Sequence, residues 1–280
     1  MHPRDRLLGT DLRPKRSFGQ NFLIDDTHRV AIARLCLELA RDRDHTVVEF
    51  GAGLGSLTEA LGTLGAHVVA VERDRDLVPK LHEIFARALT DGWLEIHEAN
   101  ALTFPLDDRP EGFALVGNLP YHHAAEIALR AVDAWPRIGG ACFLVQREVA
   151  ERMAAQPGSK AFGSLSVVLQ SRFNVRLARK VPKGAFWPVP EVDGGVVTMS
   201  ALAEPRGAPH TRAALERVMR PAFQQRRKTL HNALKGVVDD EALRAVGIDP
   251  RARAEDVDVA AWGRLAAATA GATPAAPITE

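Results

Sequence analysis

The chain has 280 residues, of which 46% are hydrophobic and 25% are charged, so it is long and apolar enough for one large domain with a smaller appendage and is not wholly disordered. No apolar run reaches the roughly 18 residues of a membrane helix, and the N-terminal sequence lacks the apolar stretch of a secretory signal, which predicts a cytoplasmic protein without a membrane partner. Cys36 and Cys142 form no CxxC motif, which excludes a disulfide framework and a cysteine-ligated metal site.

The net charge of +1 hides three basic zones. Residues 1–20 hold five basic and two acidic side chains, residues 172–183 hold five and none, and residues 204–240 hold eight and four. A phosphate backbone selects surfaces of this kind, and solvated surface charge is the alternative interpretation.

Short apolar runs alternate with helical patterns between about residues 46 and 173, and this alternation predicts an open parallel sheet with helices on both faces. The runs occupy residues 47–50, 67–71, 94–97, 113–116 and 141–145, and residues 192–202 resemble a terminal strand. After a hinge near 204–209 the periodicity is helical only. We therefore expect a sheet domain over residues 1–205 with a basic arm over 1–20, a helical domain over 206–268 and a flexible tail over 269–280.

A glycine-rich turn follows the first apolar run. Glycines alternate over residues 51–55, which lets the backbone turn sharply and lie against a ligand. Ser56 with Glu59 three residues later predicts a capping box, so that a helix begins at once. The next run ends at Glu72, about 20 residues past the turn, where a carboxylate can accept both hydroxyls of a ribose. Strand, turn and helix together predict a nucleotide-type cofactor site.

The glycine spacing favours S-adenosylmethionine as that cofactor. A dinucleotide fingerprint reads G-x-G-x-x-G and leaves room for a pyrophosphate, whereas G-x-G-x-G is tighter and suits a ligand without phosphate. Glu49, in the first strand, could contact the methionine ammonium, and we interpret it instead as support for the loop. Asn100 follows the third strand and should face the cofactor's base, with a simple turn residue as the alternative.

The residues Asn118, Leu119, Pro120 and Tyr121 follow the fourth run and indicate amino-group methylation. Ligands of open α/β sheets bind at the carboxyl ends of the strands. An exocyclic adenine nitrogen is a poor nucleophile because its lone pair is delocalised into the ring. Two acceptors, the Asn118 side-chain oxygen and a backbone carbonyl fixed by Pro120, would bind its hydrogens and aim the lone pair at a sulfonium methyl. Tyr121 offers a face for the base to stack on, and a strand-ending turn is the alternative.

A proline-rich loop over residues 181–193 offers a second face for a base taken out of its stack. The prolines stiffen the loop, and we expect them to hold Phe186 or Trp187 out of the core, where an aromatic ring can close over the base. A surface loop anchored by a core aromatic is the alternative.

Five motifs, at residues 16–25, 49–53, 118–121, 181–193 and 222–234, resemble those of the bacterial small-subunit rRNA adenine dimethyltransferases, the KsgA or RsmA family, over nearly the whole chain. The resemblance implies a Rossmann-like, S-adenosylmethionine-dependent methyltransferase sheet followed by a small all-helical domain. It implies transfer of methyl groups to N6 of two adjacent adenines in the 3′-terminal hairpin loop of 16S rRNA, within the pre-30S subunit during ribosome assembly.

Carried over position by position, the resemblance implies two sets of residues. Those expected to contact the cofactor are Asn21, Leu23, Gly51, Gly53, Glu72, Asn100 and Asn118. Those expected at the reacting base are Asn118, Leu119, Pro120, Tyr121 and Phe186, with Phe186 stacking on it. Asn100 replaces the family's usual aspartate and Ala52 its usual proline.

The C-terminal motif is predicted to bind RNA. Three apolar residues recur at helical spacing and predict one buried helix face: Phe223, Leu230 and Leu234. Arg226, Arg227 and Lys228 should then lie at the surface around this anchor, which suits contact with RNA phosphates and 2′-hydroxyls. A solvated charged face is the alternative.

Three other functions compete with this interpretation. An Erm-type enzyme would dimethylate 23S rRNA instead, although residues 18–21 and 226–228 fit the small-subunit enzymes better. A methyltransferase-like nucleic-acid-binding factor without turnover would not need the intact glycine loop, Glu72 and residues 118–121. A nicotinamide-dependent dehydrogenase would need a different glycine spacing. We expect the protein to be a monomer.

Overall fold

The computed structural model describes residues 3–7, 13–15, 20–120 and 123–270. Tyr121, residues 16–19 of the first motif and residues 271–280 of the expected tail lie outside this range. Contacts divide the chain into two units, one of Met1–Glu151 with Asn174–Ala201 and the other of Arg152–Phe173 with Leu202–Glu280. The chain leaves the first unit near the expected boundary at 205, but residues 152–173, expected in the sheet domain, group with the helical unit.

Helices and strands of the described residues are numbered in chain order. The helices are α1 (Pro3–Arg6), α2 (Asp26–Leu37), α3 (Ser56–Thr63), α4 (Val78–Ile84), α5 (Ala86–Thr90), α6 (Ala124–Ala134), α7 (Arg147–Met153), α8 (Ser164–Gln170), α9 (Arg212–Gln224), α10 (Leu230–Ala233), α11 (Asp240–Ala245) and α12 (Val259–Ala268). The strands are β1 (Phe22–Leu23), β2 (Val47–Phe50), β3 (Val68–Glu72), β4 (Leu94–Glu98), β5 (Ala114–Asn118), β6 (Gly140–Gln146), β7 (Phe173–Val181), β8 (Phe186–Trp187) and β9 (Gly194–Ala201).

The first unit is built on a sheet with the strand order β4-β3-β2-β5-β6-β9-β7. Strands β4, β3, β2, β5 and β6 are parallel to one another, and β9 is antiparallel to β6. The predicted open parallel sheet is confirmed for five strands, and an antiparallel strand and β7 extend it. A separate short ribbon pairs β1 with β8 in antiparallel register. This is the expected Rossmann-like fold.

The central strands are buried along their whole length because helices cover both faces of a parallel sheet. Every residue of β2 and β3 is buried, including the carboxylates Glu49 and Glu72. Helix α3 begins at Ser56 as predicted, but the predicted capping box is wrong. Its N-cap is Gly55, which adopts φ 75° and makes no side-chain cap hydrogen bond, and a left-handed backbone of this kind favours glycine.

The second unit is helical over its C-terminal part, and an aromatic cluster lies in its core. Trp262 is fully buried, and its ring centroid lies 5.7 Å from that of Phe223, which is 6.2 Å from that of Phe162. Leu230 and Leu234 are buried as expected. The predicted continuous helix through residues 223–234 is wrong, because α9 ends at Gln224 and a turn precedes α10. Within the described ranges no helix has the length and apolar character needed to cross a membrane.

Candidate active site

A cavity of about 360 Å³ opens at the carboxyl ends of β2, β3 and β5. This edge of the sheet is where open α/β folds bind ligands. The seven residues expected to contact the cofactor come from five separate segments of the chain and all line the cavity: Asn21, Leu23, Gly51, Gly53, Glu72, Asn100 and Asn118. Pro120 also lines it. The sheet topology therefore brings together residues that are up to 97 positions apart in sequence.

The glycine loop leaves bare main chain at the wall of this cavity. Gly51 and Gly53 have φ values of 73° and 59°, which side chains rarely adopt. A Cβ atom on Gly53 would lie 3.0 Å from the Cε1 atom of Phe22, whose ring also lines the cavity. A side chain at Gly53 would therefore strain the turn and displace Phe22.

Glu72 holds the glycine loop through its carboxylate. Its Oε2 accepts a hydrogen bond from the Gly53 N–H at 2.7 Å, and its Oε1 accepts from the N–H groups of Arg73 and Asp74 at 2.8 Å each. Burial raises the pKa of this carboxyl, and the three backbone donors oppose that rise. A carboxylate offers about four acceptor positions. Three of these positions accept from the backbone, and one position on Oε2 remains for a ligand.

Glu49 is a second buried carboxyl at the cavity wall. The hydroxyl of Thr58 in α3 donates a hydrogen bond to its Oε2 at 2.5 Å, which ties β2 to the helix that follows the glycine loop. Burial raises the pKa of Glu49 to about 8, and the charge of Glu72 adds to the rise. Glu49 is therefore mostly protonated at pH 7.

Asn100 lies at the cavity wall and also fixes its own turn. Its Oδ1 accepts a hydrogen bond from the Leu102 N–H at 3.0 Å, an arrangement typical of turn-forming asparagines. Both interpretations offered by the sequence are therefore compatible with its position.

Asn118 ends β5 with its amide held in one orientation. Its Nδ2 donates a hydrogen bond to the backbone carbonyl of Asn21 at 2.7 Å, which leaves Oδ1 as the acceptor of this side chain. The next residue, Leu119, is buried, and its N–H donates to the carbonyl of Leu144 at 2.9 Å. The chain around residues 118–120 is thus anchored to β6 as well as to the segment that contains Asn21.

Of the two rings that the sequence offered as held out of the core, Phe186 and Trp187, Phe186 is buried. Its ring is only 3% exposed and packs among buried residues, and it does not line the cavity. The apolar ring is buried because β8 pairs with β1, which places Phe186 opposite Leu23. Its neighbour Trp187 is half-buried and stacks on Phe22, with ring centroids 6.2 Å apart. The core-anchoring alternative therefore describes Phe186.

Comparison with known proteins identifies the family. The model of the ribosomal RNA adenine dimethylase family matches residues 12–270. The chain belongs to the ribosomal RNA adenine dimethylase family. This confirms the resemblance seen in the five sequence motifs, and it makes the protein a methyltransferase that uses S-adenosylmethionine.

The relatives of this rRNA adenine dimethylase match at least 90% of its length. It is 41% identical over 281 aligned positions to the ribosomal RNA small subunit methyltransferase A of Anaeromyxobacter sp. (strain K), covering 94% of this chain and 96% of the relative. It is 40% identical to the protein of the same name from Janthinobacterium sp. (strain Marseille), with 90% and 97% covered.

Among solved structures, the 23S rRNA methyltransferase ErmE has a TM-score of 0.67 at 28% identity, covering 89% of this chain and 99% of that one. A dimethyladenosine transferase from Plasmodium falciparum has a TM-score of 0.68 at 21% identity, with 84% and 94% covered, and so shares the fold.

The cavity of the dimethylase fits S-adenosylmethionine. Its volume lies in the range of small-molecule sites, and its glycine wall leaves the space that side chains would fill. Glu72 offers an acceptor for a ribose hydroxyl. When the buried carboxyl of Glu49 loses its proton, its negative charge can balance the positive charge of a cationic ligand. The described residues contain no group of three His, Cys, Asp or Glu side chains that could hold a metal ion.

The basic arm of the dimethylase is held by acidic partners. The guanidinium of Arg6 donates to the carbonyl of Leu54 and to Glu59, and Lys15 donates to Asp74 and to Asp76 at 2.6 Å each. Further along the arm, the side chain of Gln20 also donates to Asp74, at 2.8 Å. Sequence reasoning missed these acidic partners, because the arm and its partners are about 50 to 60 positions apart.

The predicted RNA-binding residues lie in the turn after α9. Arg226 donates to Glu255 Oε2 at 2.7 Å and to the carbonyls of Lys160 and Phe162. Arg227 and Lys228 are exposed, and neither forms an ion pair with a described residue. The side chain of Arg226 therefore holds the turn within the second unit, whereas the side chains of Arg227 and Lys228 are available to contact a ligand.

Proposed function

We propose that this rRNA adenine dimethylase transfers methyl groups to N6 of two adjacent adenines in the 3′-terminal hairpin loop of small-subunit rRNA, within the cytoplasmic pre-30S particle. The small-subunit substrate is favoured because relatives named for that subunit are 40–41% identical over at least 90% of the chain, whereas the large-subunit enzyme ErmE is 28% identical. The protein is proposed to act as a monomer.

The observation that carries the proposed chemistry is the fixed amide of Asn118. With Nδ2 donating to Asn21, the Oδ1 atom is the acceptor available to one hydrogen of an adenine amino group. The backbone carbonyl next to Pro120 would accept the other, and the hydrogen bond from Leu119 to Leu144 holds this segment in place. Two acceptors set in advance draw the nitrogen lone pair out of the ring and orient it. Bound S-adenosylmethionine supplies a methyl group on a positively charged sulfur.

Asn21, Leu23, Gly51, Gly53, Glu72 and Asn100 are proposed as the further cofactor contacts, because they share the cavity with Asn118. Tyr121 and Phe186 are proposed to stack on the base. Phe186 needs to expose one ring face for this role, and its strand partner Leu23 already lines the cavity.

Arg226, Arg227 and Lys228 are proposed to contact RNA from the second unit. Arg227 and Lys228 would contact phosphates directly, since their side chains are exposed. Arg226 would act by holding the turn that presents them, through Glu255. The helical unit, at residues 152–173 and 202–270 of the described chain, is thus proposed as the RNA-binding domain.

The test uses small subunits from cells that lack the gene. Purified wild-type protein with labelled S-adenosylmethionine should methylate these subunits and restore the primer-extension stop at the paired adenines, and Asn118→Ala should not. Glu111→Gln, an exposed change without an ion-pair partner among described residues, serves as the matched control and should act as wild type. Donor binding without any transfer would instead indicate an assembly factor, and transfer to 23S rRNA an Erm-type enzyme.

A further inference from the structure

Strand β7 carries exposed cations whose side chains form no ion pair or hydrogen bond with the described part of the protein. Arg176 and Lys180 are exposed and lie four residues apart, so they point to the same face of the strand. Lys183, just after the strand, is also exposed. The side chains of these three residues form no ion pair or hydrogen bond with any described residue.

Elsewhere in the first unit cations are commonly paired. At least eight lysine and arginine side chains of its described part lie within 4.0 Å of a carboxylate oxygen: Arg6, Lys15, Arg29, Arg75, Lys80, Arg87, Arg109 and Arg147. No aspartate or glutamate occurs in the sequence between Glu151 and Glu191, so local neighbours cannot neutralise β7. The strand also lies at the edge of the sheet, beside β9 only, and β9 has no acidic residue.

The carboxyl end of β7 lies at the edge of the sheet that holds the cavity. The Lys183 N–H donates to Asp193 at 3.0 Å, next to Gly194, and Gly194 pairs with Gln146 at the carboxyl end of β6. The short helical turn that contains Lys183 ends at Ala185, whose carbonyl accepts from the N–H of Ile24 at 2.8 Å, directly after the cavity-lining residue Leu23. The three cations therefore follow the edge strand β7 toward its carboxyl end, which lies on the same side of the sheet as the cavity.

We propose that Arg176, Lys180 and Lys183 form an edge-strand track that binds the phosphate backbone of the substrate RNA strand and leads it to the cavity. The track belongs to the first unit, whereas Arg227 and Lys228 belong to the second. Its role as a substrate guide rests on the proposed function. Its recognition chemistry is simpler, because unpaired cations attract a polyanion through release of condensed counterions, independently of base sequence.

Salt dependence tests the track directly. The probe is a fluorescently labelled oligouridylate of about 20 nucleotides, and its affinity for the full-length protein is measured between about 50 and 200 mM salt. For the double variant Arg176→Gln with Lys180→Gln, the slope of log affinity against log salt should decrease by about 1.4, which is about 0.7 for each phosphate contact to a single strand. The affinity difference from wild type should thus change roughly sevenfold over this salt range.

Arg43→Gln is the matched control. Arg43 is exposed, forms no ion pair with a described residue, and lies in the loop before β2, at the opposite edge of the sheet from the cavity. Its slope should equal that of wild type, and S-adenosylmethionine should bind the double variant as it binds wild type, since the cavity is unchanged. The proposal is overturned if the double variant keeps the wild-type slope, or if Arg43→Gln lowers the slope as much as the double variant does. It is also overturned if the wild-type protein does not bind the probe at low salt.

A methylation assay on small subunits distinguishes failure of the track from failure of the proposed function. If wild type methylates them and the double variant matches its rate at low enzyme concentration, the track fails and the proposed function stands. If wild type methylates nothing but the slopes differ as expected, the proposed function fails and the phosphate-binding surface stands.

Discussion

The side-chain amide of Asn118 donates a hydrogen bond to the backbone carbonyl of Asn21 at 2.7 Å, joining the end of β5 to the segment that enters β1. An asparagine with its nitrogen committed in this way presents its oxygen as an acceptor. The orientation of the acceptor therefore depends on a residue 97 positions earlier in the chain.

The first prediction concerns this amide. Asn118→Ala should lower the single-turnover rate of methyl transfer at saturating donor by about 10²–10³, as loss of one preorganised hydrogen-bonding group does in other enzymes. Asn118→Asp should also be impaired, because a carboxylate cannot donate to the Asn21 carbonyl. Rates within tenfold of wild type for both variants, with donor bound, would show that Asn118 does not orient the amine.

Asn100→Asp should keep activity and tighten donor binding severalfold. The Oδ1 of Asn100 already accepts from Leu102, so the other terminal atom is an amide nitrogen, whereas aspartate places a second acceptor there. Such an acceptor suits the adenine amino group of the donor, and charge-assisted hydrogen bonds are stronger than neutral ones. Isothermal titration calorimetry with S-adenosylmethionine measures the effect, and a dissociation constant that worsens severalfold contradicts it.

Glu49 should make stability depend on pH. Its pKa is about 8 in the folded protein against 4.5 for an ordinary glutamate, so between these values the folded state holds a proton that the unfolded chain has lost. The stabilisation is complete below about pH 4.5 and is lost as the pH rises to about 8, at up to about 1.4 kcal/mol per pH unit.

Glu49→Gln keeps the shape and removes the titration, so its thermal midpoint should fall less than that of wild type between pH 5.5 and 8. Glu111→Gln, at an exposed position, should behave as wild type does. Parallel pH profiles for wild type and Glu49→Gln would show that Glu49 does not titrate in this range.

Substitutions of Arg226 and Arg227 should have different effects, the first on stability and the second on RNA binding. Arg226→Ala removes hydrogen bonds to Glu255 and two carbonyls, and because this side chain is 43% exposed, thermal melting should show a loss of stability of about 1 kcal/mol. Arg227→Ala should leave the melting temperature within error and weaken RNA binding, with a smaller salt slope. Equal stability losses in the two variants would mean that the turn does not divide these roles.

Much of the cavity wall was predictable because its signals are local. The strand, the glycine turn and the carboxylate that ends the next strand are each encoded over a few residues, and parallel strands bring their carboxyl ends to one edge. The sequence did not decide whether Phe186 or Trp187 is exposed, since burial depends on the pairing of β8 with β1, which no pattern within residues 181–193 encodes. The prediction of one continuous C-terminal helix was wrong for a related reason. Leu230 and Leu234 are buried, but they belong to a second helix, α10 with its C-terminal cap, which follows a turn after α9.

The sequence by itself determined the fold class, the family and seven residues of the cavity wall, because those depend on backbone propensity, strand length and motif. The tertiary structure decided which charges and rings are available. It paired Arg6 and Lys15 with carboxylates, used three acceptor positions of Glu72, buried Phe186, and left the cations of β7 unpaired. Pairing and burial are set by contacts between segments far apart in the chain, so they become visible only when those segments are brought together.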